Sequence, residues 1–78
     1  MKVDLDAIAA LVGRQLGVER VEPGDQLVED LGAESADLLN LVAALEDGYG
    51  VTIEEEELPG LRTVRDLFER VQTGPHGS

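Results

Sequence analysis

The stretch from Ala36 to Asp47, after which Gly48-Tyr49-Gly50 stops the period, restricts the fold more than any other. Leu38, Leu41, Val42, Leu45 and Tyr49 recur every three or four residues and lay one broad apolar face along a helix. Leu39 falls beside that stripe, so the helix is apolar around more of its circumference than a surface helix needs, and it is expected to be the central packing element. The run leading into it, Leu31-Gly32-Ala33-Glu34-Ser35-Ala36-Asp37, sets a serine where a loop gives way to helix. Serine at such a junction is ordinarily a cap. Glu34 places negative charge at the positive end of the helix, where it complements the macrodipole.

Leu5, Ile8, Val12 and Leu16, with Ala9 beside them, predict a first helix from Val3 or Asp4 to Leu16, ended by Gly17. Asp4 and Asp6 belong in its first turn and Arg14 in its last. Gly13 inside it costs about 1 kcal/mol relative to alanine, which means either fraying or a neighbour packed close. From Val18 to Gly32 the period is lost and Pro23-Gly24-Asp25 signals a turn. Val18, Val21, Leu27, Val28 and Leu31 are spaced to pin this long loop to the core, with a short helical turn expected at Gln26 to Leu31. Val51-Thr52-Ile53 reads as loop packed on the core, and Glu54 to Leu58 as one or two helical turns that Pro59-Gly60 terminates. The last helix starts at Thr63, where Thr63-x-x-Asp66 resembles a capping box, and continues through Val64, Leu67, Phe68 and Val71. Residues 1–72 are expected to form the domain; 73–78 lack an apolar anchor and read as a flexible tail, either a linker or a cloning remnant.

A domain of 78 residues hides only about 60% of the surface its unfolded chain exposes, so the core is thin. With one Phe, one Tyr and no Trp, that core must come from Leu, Val, Ile and Ala, which suits helix packed on helix. The expected class is all-α. No cysteine means no disulfide and no thiol of its own. No apolar run approaches the length of a membrane span and no signal peptide is evident, so the expected compartment is the cytoplasm.

The net charge of -11 argues against nucleic acid and favours basic partner surfaces. Between Val21 and Leu61 there is no Lys or Arg, whereas Glu22, Asp25, Glu29, Asp30, Glu34, Asp37, Glu46, Asp47 and Glu54 to Glu57 all fall there. Such a run is either a solvated face or a field that steers a basic partner to the serine at its middle.

A nucleophilic serine needs a base within hydrogen-bonding reach. The only histidine is His76, in the tail, and the only lysine is Lys2, at the other terminus, so Ser35 is not read as the catalyst of a hydrolase. There are no clustered His or Cys ligands and no Asp-x-Asp-x-Asp-Gly calcium loop, although Glu54 to Glu57 with Asp47 attract divalent ions weakly. No glycine loop of the phosphate-cradling kind is present. Ser35 is thus read as a residue on which another protein acts; a phosphoester there suits the helix end, against the opposition of Glu34 and Asp37.

Val28-Glu29-Asp30-Leu31-Gly32-Ala33-Glu34-Ser35-Ala36-Asp37, followed by Leu41-Val42-Ala43-Ala44-Leu45-Glu46-Asp47, closely resembles the acyl carrier proteins of fatty-acid and polyketide synthesis. The resemblance spans about Val3 to Val71, taking in Gln15-Leu16-Gly17-Val18 and Leu61-Arg62-Thr63-Val64-Arg65-Asp66-Leu67. It implies a four-helix bundle with a long first loop and a short third helix. It also implies a phosphoprotein whose Ser35 carries 4′-phosphopantetheine, installed from coenzyme A by a pantetheinyl transferase. Acyl groups would travel as thioesters on the terminal thiol of that arm, consistent with a chain that has no cysteine.

By the same resemblance, Glu34, Asp37, Glu46 and Asp47 match acidic positions that meet basic docking patches on acyl-transfer and synthase enzymes. Leu39, Val42, Leu45, Tyr49, Ile53, Leu61 and Phe68 would line the core that receives the acyl chain. The usual Asp-Ser-Leu is Glu34-Ser35-Ala36 here, and Asn40 and Ala43 stand where the family often has Glu and Met. These departures alter positions that partners contact and imply a dedicated carrier for a specialised pathway as an alternative to general fatty-acid or lipid metabolism. The implied protein is a monomeric carrier, not an enzyme. Two rivals share the serine: an aminoacyl or peptidyl carrier, and an acidic docking subunit whose serine is never modified.

The charge alone makes a prediction. Self-repulsion at neutral pH and low salt should be relieved by added salt or millimolar divalent cations, which raise the melting temperature; a melting temperature flat across salt concentrations contradicts this.

Overall fold

The computed structural model describes residues 3–73. Those residues form four helices and, among them, no strand: α1 (Leu5–Leu16), α2 (Ser35–Tyr49), a short 3-10 helix η1 (Glu55–Gly60) and α3 (Val64–Thr73). The expected all-α four-helix arrangement, with a long first loop and a short third helix, is what the chain adopts. The part of the expected tail from 74 to 78 lies outside the described residues.

Each helix end follows from local chemistry. Asp4 caps α1, its carboxylate accepting from the Asp6 N–H at 3.0 Å, so it stands just before the first turn in which it was expected. Gly17 closes that helix at φ 69°, a left-handed conformation that glycine takes at no steric cost. The capping box at α3 is present, with Thr63 Oγ1 accepting from the Asp66 N–H and the Asp66 carboxylate accepting from the Thr63 N–H, both at 3.1 Å. Pro59 and Gly60 do not end the turns before them. They form the last part of η1, because a 3-10 segment this short needs few amide donors and tolerates a proline.

The core is drawn from all three α-helices and the loops on either side of α2: Ile8 and Val12 from α1, Leu41 and Leu45 from α2, Val64, Leu67 and Val71 from α3, with Leu27, Ala33, Val51 and Ile53 between. Full burial of such a side chain is worth about 1.5–3 kcal/mol. Packing is centred on α1, which lies against both α2 and α3. The expectation that α2 would be central is therefore corrected. The apolar residue outside its stripe, Leu39, stays 48% exposed, facing out of the bundle.

The long loop is sewn to the start of α3. The Leu27 N–H donates to the Arg62 carbonyl (2.8 Å), the Val64 N–H to the Asp25 carbonyl (3.2 Å) and the Arg65 N–H to the Pro23 carbonyl (2.9 Å), and Gln26 bridges Thr63. The turn expected at Gln26 to Leu31 is there, with the Asp30 N–H donating to the Gln26 carbonyl at 2.9 Å and the Asp30 carboxylate accepting from the Gln26 N–H at 2.7 Å.

Gly13 is explained by a close neighbour, not by fraying. A Cβ there would stand 2.8 Å from the Val18 carbonyl oxygen, whose segment folds back over α1. Backbone cannot yield as a side-chain tip can. Gly13→Ala should lower stability by about 1–3 kcal/mol through overpacking. Gly48→Ala, on α2 with open space around it, should raise stability by about 0.5–1 kcal/mol. Denaturant titration of the two variants checks the pair; equal signs would contradict the packing argument.

Candidate functional site: the serine at the start of the second helix

The approach to Ser35 is fixed by its predecessors. Gly32 turns the chain at φ 72°, and its N–H donates to the Val28 carbonyl at 3.1 Å. Ala33 is buried in the core, its N–H bonded to the Leu27 carbonyl at 2.8 Å. Ser35 follows two residues later as the first residue of α2 and is exposed.

The cap role considered for this serine belongs to Glu34 instead, whose N–H donates to the Asp37 carboxylate at 2.9 Å. An acidic pair does the capping, which leaves the Ser35 hydroxyl with no hydrogen bond among the described residues. The amides of the first turn have no partner within the helix and carry the positive end of the macrodipole. An exposed, uncommitted hydroxyl at such a point can accept a phosphate ester.

Ser35 opens onto a groove of about 560 Å³. Its apolar walls come from Leu27 and Val28 on the long loop, Leu38 and Leu39 on α2, and Leu58 with Leu61 around η1. Val28, at 55% exposed, and Leu39 form its outer rim. Of the residues expected to receive an acyl chain, Leu39 and Leu61 line this groove. Leu45 and Ile53 are buried in the core behind it, and Val42, Tyr49 and Phe68 are half-buried against that core. The contribution of Leu58, Leu27 and Val28 was not foreseen, because it depends on which loops fold beside the serine.

The expected partner-facing residues divide by location. Ala36, Asn40, Ala43 and Asp47 are exposed along one stripe of α2, and Glu34 is exposed at its end. Asp37 and Glu46 are half-buried, each carboxylate accepting a backbone N–H; for Glu46 the donor is Ile53, at 2.8 Å. Glu46 thus ties the loop after α2 back onto the helix.

The η1 wall of the groove contains no buried residue. An ion pair tethers it: Arg70 of α3 binds both carboxylate oxygens of Glu57, and its Nη2 also donates to the Thr52 carbonyl at 2.6 Å. The hydrogen bond from Arg70, helped by the Glu54 N–H, holds the Glu57 carboxyl below the ordinary value of 4.5. A lowered acid stabilises the fold fully above its unfolded pKa, and the contribution is lost as pH falls through the folded value. Glu57→Gln should therefore lower the melting temperature at pH 7, with the gap to the parent closing as pH falls below 4.5. A gap of constant size down to pH 3 would contradict an electrostatic tether.

Residues 6–71 match the family described as phosphopantetheine attachment site. The chain belongs to that family. The chain is 41% identical over 64 residues to an acyl carrier protein of Syntrophobacter fumaroxidans, covering 80% of this chain and 79% of that one. It is 42% identical over 67 residues to one from Thermosynechococcus vestitus, covering 83% of each. Among solved structures, a candidate acyl carrier protein from Mycobacterium tuberculosis superposes with a TM-score of 0.82 at 31% identity, over 88% of this chain and 95% of that chain. A chain from a structure described as the ishigamide ketosynthase/chain length factor superposes with a TM-score of 0.72 at 25% identity, over 88% and 89%. The prosthetic group this family implies is a covalently attached 4′-phosphopantetheine. A free hydroxyl, a helix N-terminus and an apolar groove in one place fit that group. No helix among the described residues is long and apolar enough to cross a membrane.

Proposed function

We propose that this acyl carrier protein bears its 4′-phosphopantetheine on Ser35 and presents acyl groups to partner enzymes of a specialised, polyketide-like pathway. The observation that carries the reading is the Ser35 hydroxyl, left uncommitted because Glu34 and Asp37 cap the helix in its place. When bound, the arm supplies the thiol on which acyl groups travel as thioesters. The protein's own residues hold the attachment point still, through buried Ala33 and the turn at Gly32, and offer an apolar groove that shields a chain from water.

Recognition falls to the exposed stripe of Ala36, Asn40, Ala43 and Asp47, with Glu34 at its head. Its acids suit basic patches on a pantetheinyl transferase and on acyl-transfer or synthase enzymes, while small Ala36 next to the serine asks for a partner that fills that space itself. The likeness to a chain in a ketosynthase/chain length factor structure supports the specialised reading over general fatty-acid or lipid synthesis. The proposal is of a monomer working in the cytoplasm.

Incubation with coenzyme A and a broad-specificity pantetheinyl transferase should add about 340 Da, one arm, to the chain, and Ser35→Ala should abolish the gain. Intact-mass spectrometry reads the result; an unchanged mass for the parent chain would overturn the attachment.

A further inference from the structure

Arg62 is the one cation among the described residues that line the groove beside Ser35, set against the acids Glu29 and Glu55. Its backbone is held from both sides, the carbonyl accepting from the Leu27 N–H at 2.8 Å and the N–H donating to the Asp66 carboxylate at 3.0 Å. The side chain, by contrast, makes no hydrogen bond or ion pair among the described residues. A guanidinium on a fixed base is thus left uncommitted in a chain of net charge -11, although two carboxylates line the same groove.

Ser35 has the opposite problem. Glu34 and Asp37 flank it, and no Lys or Arg occurs between Val21 and Leu61. A phosphodiester added there brings further negative charge into a negative field, and the helix end offsets it only in part. A carboxylate at the end of an acyl chain would meet the same field, and apolar walls cannot hold it without a partner. The planar fork of arginine matches both phosphate and carboxylate oxygens.

We infer that Arg62 is the anion anchor of this groove, pairing with an anionic oxygen group brought in by the arm on Ser35: the phosphodiester at its root or a carboxylate on its cargo. This rests on the Ser35 attachment proposed above. Where the carboxylate is the group held, the pairing sets cargo preference, with an anionic head at Arg62 and an apolar body lying along Leu38, Leu58 and Leu61.

The test uses the full chain and its Arg62→Gln variant, each unmodified and each loaded by a broad-specificity transferase from coenzyme A, butyryl-coenzyme A or malonyl-coenzyme A. Intact mass reports loading, melting temperature reports the pairing, and the phosphorus NMR shift reports the environment of the phosphodiester. The gain in melting temperature on loading should be smaller in Arg62→Gln by roughly 1–5 °C at low salt. High salt should erase that difference, and Arg62→Lys should recover part of it. A purely structural role would move the unmodified and loaded forms together, leaving the gain unchanged.

A deficit already present after loading from coenzyme A, with a shifted phosphorus signal, assigns the phosphodiester. One that appears with malonyl but not butyryl cargo assigns the carboxylate. Equal gains for parent and variant with all three donors overturn the anchor while the attachment stands. Failure of the variant alone to load also overturns it, in favour of a transferase contact. No mass gain on the parent chain overturns both readings.

Discussion

A loop of 18 residues between two helices is costly unless its backbone polar groups find partners, and here they find them on the far side of the sequence. The amides of Leu27, Val64 and Arg65 and the carbonyls of Pro23, Asp25 and Arg62 join the loop to the entrance of α3. Leu27, fixed by this pairing, buries its side chain and offers its carbonyl to Ala33, which sets the position of Ser35 two residues further on. The groove has its walls where it does because the same stitching brings residues 26–29 and 61–62 together. The position of Ser35 and the groove beside it are both consequences of one long-range set of backbone bonds.

Charge is distributed in keeping with that geometry. Acids near element ends accept backbone N–H groups: Asp4, Asp25, Asp30, Asp37, Glu46, Glu57 and Asp66 all do so. Much of the excess negative charge therefore organises the chain locally before it acts on any partner. Glu34 at the head of α2 and Asp47 on it remain exposed. The acid next to the serine heads the helix through its backbone, and Ser35 follows it directly.

The helices were legible because their apolar spacing and their end signals agree: Ile8 and Val12, Leu41 and Leu45, and Val64, Leu67 and Val71 are all buried as the periods require. Gly17 and the Thr63–Asp66 box mark ends by chemistry that acts within four residues. Ser35 stood out for what the chain lacks around it, a base and a thiol. What could not be read depends on distant pairing. Nothing in the composition of 23–27 announces 62–65 as its partner, and without that pairing the joining of Arg62 to the serine's groove does not follow. Ser35 reads as a cap because serine is a good one, but the helix starts a residue earlier than that reading needs, with Glu34 at the cap position and its N–H donating to the Asp37 carboxylate.

The two sides of the groove are fastened differently. Its loop side, from Leu27 to Ala33, is held by backbone bonds and by side chains sunk in the core. Its η1 side has no buried side chain and relies on Arg70. Segments with few buried contacts exchange their amide hydrogens through local openings well below the global unfolding energy. The groove is thus an asymmetric clasp, with one stiff jaw that keeps Ser35 in register and one compliant jaw fastened chiefly by an ion pair.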